Sequence, residues 1–223
     1  MSAARPTVVF DLDGTLVDSA DAIGDIINNM RAERGLQRLS LDEVRPYVTS
    51  GGAAMAEALL AGAWGDTPTA LAAFRERYGA APTPADSVYP GAREALAALS
   101  GAGLRLAVFS NKTQSLCEKV LGDLGLAPRF AAVVGTGPNT PHKPDPTGFF
   151  QALNRAGGVA ARSCLVGDSA ADEATAKRAG VPFIFAAWGY GDASGVAADV
   201  ARAKSFADVP ALVAACFACP QTA

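Results

Sequence analysis

The sequence predicts a parallel α/β protein with an all-helical segment inserted after its first strand. Two observations carry this. Five short apolar runs end in polar or glycine residues and are separated by helical stretches long enough to cross over a sheet. Between the first run and the second, residues 17–86 carry helical periodicity and no strand pattern.

Taken in order, Thr7 to Phe10 (TVVF) is a β-branched apolar run of the kind found in a strand covered on both faces. The inserted segment opens with Ile23, Ile26, Ile27 and Met30 at i, i+3, i+4 and i+7, one apolar helix face closed by Gly35. Asp18 and Ser19 precede it as candidate caps. Helical stretches follow at Leu41 to Val48, Ala53 to Ala61 and Thr69 to Tyr78, before the linker Pro82-Thr83-Pro84-Ala85-Asp86. The other strands are Leu104 to Ser110, Phe130 to Gly135, Ser163 to Gly167 and Pro182 to Ala187. Helical pattern fills Gly91 to Leu99, Lys112 to Leu124, Pro146 to Ala156 and Ala170 to Ala179, the last stopped by Gly180 and Pro182. The expected organisation is an α/β core of residues 1–16 and 87–223, with residues 17–86 as a smaller helical domain.

Composition narrows the function. With 19 Lys plus Arg against 22 Asp plus Glu, the chain lacks the positive field that holds nucleic acid, so a small substrate is expected. No apolar run approaches a membrane span and residues 1–6 do not resemble a secretory signal, which predicts a cytoplasmic protein. A monomer and a homodimer are both open. Cys117, Cys164, Cys216 and Cys219 do not form a disulfide framework, and Cys216 with Cys219 lacks the further ligands of a zinc site. The single histidine, His142, excludes histidine-rich metal sites. Trp64, Tyr78 and Trp188 read as packing residues.

The chemistry collects at the strand ends. Asp11 and Asp13 leave the first strand with the period-two spacing that sends both carboxylates to one side, at the edge where open α/β sheets bind ligands. Gly14 permits an unusual backbone and Thr15 offers a hydroxyl to fix the loop. Taken alone, Asp-Leu-Asp-Gly-Thr is also an ordinary turn. Ser110 and Asn111 end the second strand, Lys143 follows the third, and Asp168 ends the fourth with Asp172 four residues beyond. Each is ordinary singly, but four acids at one edge repel unless a hard cation such as Mg²⁺ and a lysine offset them. Ser110 and Lys143 suit phosphoryl oxygens.

The stretch FDLDGTLVDS, the pair Ser110-Asn111, Lys143-Pro144 and GDSAADEATA together resemble the haloacid dehalogenase superfamily, and within it the phosphoglycolate phosphatases and their relatives. That resemblance implies a Rossmann-like parallel sheet with residues 17–86 as a helical cap. It implies Asp11 as a nucleophile forming an aspartyl-phosphate and Asp13 as acid and base. Ser110, the Asn111 backbone and Lys143 would hold the phosphoryl group. Asp11, the Asp13 carbonyl and Asp168 would hold Mg²⁺, with Asp172 behind them. It also implies hydrolysis of a small phosphorylated metabolite, 2-phosphoglycolate foremost. A β-phosphoglucomutase-like transfer, or a phosphatase for another sugar phosphate or pyrophosphate, are the alternatives. The cap segment contains no lysine, unlike phosphonatases, and an acid at Asp13 argues against dehalogenation. Within the cap, Arg45, Thr49, Ser50, Gly51 and Gly52 form the expected specificity loop.

Overall fold

The computed structural model describes residues 5–49, 51–60, 62–191 and 193–218. Six parallel strands form one sheet: β1 (Thr7–Phe10), β2 (Arg105–Thr113), β3 (Ala132–Thr136), β4 (Ser163–Gly167), β5 (Phe183–Ala186) and β6 (Ala201–Ala203), in the order β3-β2-β1-β4-β5-β6. The order reverses between β1 and β4, so the connections leaving these two neighbouring strands run to opposite sides and leave a crevice at their carboxyl ends. Register fixes that end: Phe10 lies beside Val108 of β2 and Val166 of β4, and the Asp11 amide continues the ladder to the Val166 carbonyl at 2.9 Å.

Both faces of the sheet are covered, which is why its strands read as continuous apolar runs. Val8 and Phe10 face one core; Val9 faces the other, with Phe109, Phe149 and Leu165. Phe10, Phe109 and Phe149 are fully enclosed, each worth roughly 1.5–3 kcal/mol against exposure.

Between β1 and β2 lie α1 (Ala20–Ala32), α2 (Leu41–Val48), α3 (Gly52–Leu60) and α4 (Thr67–Ala80), then α5 (Ala92–Gly101) against the sheet. The expected face of α1 is the observed one, with Ile23, Ile27 and Met30 buried and Ile26 half-buried against the same core. Ser40 and Glu43 form a capping box on α2, and the Asp66 side chain caps α4 ahead of Pro68. The packing reading of Trp64 stands: its indole lies between the guanidiniums of Arg34 and Arg77 and donates to the Met30 carbonyl.

The remaining helices are α6 (Gln114–Asp123), α7 (Thr147–Arg155), α8 (Ala170–Ala179) and α9 (Val209–Ala218). Three boundaries differ from expectation. Strand β2 runs three residues beyond Ser110, carrying Asn111 and Lys112 in extended backbone rather than in a helix. Strand β3 starts at Ala132, because residues 127–129 form a short turn of helix. Edge strand β6 was not expected, since Ala-Arg-Ala offers neither apolar alternation nor β-branched residues. Among the described residues no helix is long and apolar enough to cross a membrane. Cys216 on α9 lies against the buried Cys164, both as free thiols; Cys219 lies outside the described residues.

Candidate active site

The carboxyl ends of β1, β2 and β4 and the loop after β3 deliver their polar side chains to one place. Asp11, Asp13, Ser110, Asn111 and Lys143 all line a cavity of about 620 Å³, solvent at its mouth included. Asp168 and Asp172 lie fully buried behind it. One carboxylate oxygen each from Asp11, Asp168 and Asp172 fall within 4.8 Å of one another.

Lys143 is the hub. Its Nζ stands 2.8 Å from Asp11 Oδ1 and 2.6 Å from Asp172 Oδ1, in a position almost closed to water. Burial lowers the lysine pKa, but the two carboxylates outweigh it and hold the ammonium above the usual lysine range. The same burial pushes Asp11 up to about 7; Lys143 opposes the rise, while Asp172 and Asp13 add to it. Asp168 is raised well above the usual carboxylate range by burial, then by Asp11 and Asp172. Lys143 alone therefore does not balance three ionised carboxylates, an excess that favours bound protons when no other cation is near. Three hard oxygen donors with that excess fit a divalent metal ion.

Each acid is oriented by neighbours. Asp168 Oδ2 accepts from the backbone amides of Tyr190 at 2.8 Å and Gly191 at 3.1 Å, and its Oδ1 accepts from the Thr15 hydroxyl at 3.3 Å. Asp172 Oδ2 accepts from the Ser169 amide and hydroxyl, closing a capping box at the start of α8 while Oδ1 meets Lys143. Asp168 itself precedes that helix, so the two acids meet across the strand-to-helix turn rather than along one helix face. Gly14 is required here: its φ is +81°, and a Cβ would stand 2.2 Å from Asp168 Oδ2. The Asn111 side chain accepts from the Lys143 amide at 2.8 Å, joining the second strand end to the lysine loop.

Asp13 is held separately. Ser19 donates to its Oδ1 at 2.5 Å, and Lys112 Nζ lies 3.0 Å from its Oδ2. Ser19 sits at the helix N-cap but makes no side-chain cap bond, so its expected capping role gives way to this contact; Asp18 Oδ1 accepts from the Ala20 amide at 3.3 Å. Lys112 also lies 4.5 Å from the centre of the Tyr78 ring of α4. Burial lowers the Lys112 pKa, and Asp13 and Tyr78 more than restore it. Lys112 escaped the sequence reading because it looked like the first residue of a helix. The Trp188-Gly189-Tyr190-Gly191 loop escaped as well, although two glycines directly after a strand signal a close backbone approach.

The expected specificity loop divides. Thr49, Gly51 and Gly52 line the Asp11 cavity, and Ser50 lies outside the described residues. Arg45 is not brought to that cavity. It pairs with Asp42 at 3.6 Å and lines a neighbouring cleft with Ser169, Tyr190 and Gly191. A different arginine of the helical segment, Arg75 of α4, lines the Asp11 cavity. His142 is exposed, with its ring 3.2 Å from where a Cβ on Gly51 would stand.

The family model for haloacid dehalogenase-like hydrolases matches residues 8–186. The chain is 40% identical over 192 residues to a phosphoglycolate phosphatase of Rhodospirillum rubrum, covering 82% of this chain and 80% of that one. It is 34% identical over 222 residues to the Caulobacter vibrioides phosphoglycolate phosphatase, covering 96% and 93%. Among solved structures, a haloacid dehalogenase-superfamily hydrolase of subfamily IA from Geobacter sulfurreducens superposes with a TM-score of 0.71 at 26% identity, over 94% of this chain and all of that one. A haloacid dehalogenase-like protein of Streptococcus pneumoniae shares the fold at a TM-score of 0.80 and 22% identity, over 93% and 98%. Similarity running through the sheet, its acidic strand ends and most of the chain's length makes this protein a member of the haloacid dehalogenase-like hydrolase family.

Proposed function

We propose that the protein is a Mg²⁺-dependent phosphatase that hydrolyses a small phosphomonoester, 2-phosphoglycolate foremost, through a covalent aspartyl-phosphate on Asp11. The observation that carries this reading is the ion pair between Asp11 and Lys143 at 2.8 Å, buried beside Asp168 and Asp172. A carboxylate so placed can attack phosphorus while the lysine balances the charge on the phosphoryl oxygens. The substrate comes from the relatives' activity, since several phosphoglycolate phosphatases match over most of their length.

In the first step an Asp11 oxygen bonds to phosphorus as the bond from phosphorus to the leaving oxygen breaks, and Asp13 gives the leaving oxygen its proton, releasing the alcohol. In the second, Asp13 takes a proton from water, whose oxygen attacks the same phosphorus, releasing phosphate and restoring Asp11. Ser110, the Asn111 amide and Lys143 hold the phosphoryl group through both. Asp11, the Asp13 carbonyl and Asp168 would hold Mg²⁺, which supplies positive charge to the phosphoryl oxygens when bound. Asp172 works through Lys143 and Ser169. Residues 17–86 act as a cap domain that closes the cavity over the core of residues 1–16 and 87–223.

The test is phosphate release from a panel of phosphate esters with Mg²⁺, run beside Asp11→Asn. The wild type is expected to release phosphate, and Asp11→Asn to lose at least about 10³-fold while staying folded. Equal rates in the two would remove Asp11 as nucleophile. Interconversion of sugar phosphate isomers with little free phosphate would replace hydrolysis by transfer.

A further inference from the structure

Every cation on the core side of the cavity already has a carboxylate. Lys143 serves Asp11 and Asp172, and Lys112 serves Asp13. An anionic group on the leaving alcohol therefore needs a positive charge from elsewhere.

The cap segment holds six arginines and no lysine. Five of the six are occupied. Arg31 donates to the Leu59 and Gln37 carbonyls, Arg34 lies over Trp64, Arg38 pairs with Asp25, Arg45 with Asp42, and Arg77 with Glu33. Arg75 has no hydrogen bond or ion pair among the described residues, and it is the cap arginine that lines the Asp11 cavity. Helix α4 holds it there, because Leu71, Phe74 and Tyr78 bury the adjoining face of the helix and the first two line the same cavity. The surrounding wall of Ile23, Val48, Met55, Leu71, Phe74 and Leu116 is apolar, while Arg75 itself is exposed and free to reorient toward a bound anion.

Resting on the phosphatase reading above, we propose that Arg75 is a specificity residue that binds an anionic group carried by the leaving alcohol. The group is planar and oxygen-rich or phosphoryl in character, either a carboxylate or a second phosphate, which a guanidinium meets with paired N–H donors. An ester whose alcohol is uncharged makes no use of Arg75.

The experiment compares wild type, Arg75→Met and Arg75→Lys on three esters: 2-phosphoglycolate, 1,3-propanediol bisphosphate and 4-nitrophenyl phosphate. Arg75→Met is expected to lose about 10- to 100-fold in kcat/KM, mainly through KM, on an ester with a second anion. It should change 4-nitrophenyl phosphate by less than about 3-fold, and Arg75→Lys should recover part of the loss. A loss confined to 2-phosphoglycolate assigns the anion as a carboxylate, and one confined to the bisphosphate assigns a phosphate. An equal loss on all three esters, or no loss on any, overturns the role of Arg75 while leaving the phosphatase reading in place. A wild type that turns over none of the three overturns both.

Discussion

Lys112 and Asp13 form an ion pair at 3.0 Å in which each side chain is only 8% exposed, with the Tyr78 ring against the lysine. It joins the end of β2 to the loop after β1 and reaches the helical segment through one aromatic contact.

Removing the lysine leaves a buried carboxylate with only Ser19. Lys112→Met should therefore destabilise the protein by about 3 kcal/mol, as for other broken buried pairs. Asp13→Asn combined with Lys112→Met should be milder than the sum of the single changes. Urea unfolding of the four proteins gives the coupling energy. Additive losses would show that the two side chains do not support each other.

Asp13→Asn alone should separate substrates by leaving group. Esters of poorly acidic alcohols depend on a proton delivered as the bond breaks, while 4-nitrophenolate leaves without one. The first kind should slow by about 10²-fold or more and the second much less. A uniform reduction would remove Asp13 as the acid.

Gly14→Ala should weaken divalent-ion binding more than it lowers the melting temperature. The added methyl meets Asp168 Oδ2 at 2.2 Å and forces the carboxylate to move, and positive φ adds about 1 kcal/mol of strain. Calorimetric titration with Mg²⁺ measures the first effect and thermal unfolding the second. Unchanged affinity would mean that Asp168 is not a ligand.

Stability without metal should depend on pH in a defined direction. Asp11 is raised from 3.8 to about 7, so the folded state holds its proton more tightly than the unfolded chain does. Between those values the folded protein binds more protons, and stability falls as pH rises. In chelator, the melting temperature should drop from pH 5 to pH 8. Mg²⁺ should restore more at pH 8 than at pH 5, because protons and the metal compete for the same oxygens. A melting temperature that is flat in chelator, or a Mg²⁺ effect independent of pH, would contradict this.

The strands were readable because their chemistry is local: β1 and β4 occupy the expected spans, apolar runs cut off by Asp11 and Asp168. The polar strand ends were readable for the same reason, since a parallel sheet brings its carboxyl ends to one edge. What depended on distant packing was not. Lys112 gained its position only when β2 extended past Ser110, and Ser19 found Asp13 instead of a helix amide. Nothing in the residues beside Arg45 and Arg75 told which would reach the Asp11 cavity, because the packing of α2 and α4 decides it.

Asp172 ties two quantities that are normally independent. One of its oxygens closes the first turn of α8 through Ser169 and the other meets Lys143. Fraying of that turn should loosen Asp172 from Lys143 and leave Asp11 as the lysine's nearer counter-charge. Amide exchange at the beginning of α8 should thus follow the charge felt by Asp11, so that a measurement on a helix end gauges a buried carboxylate one strand away.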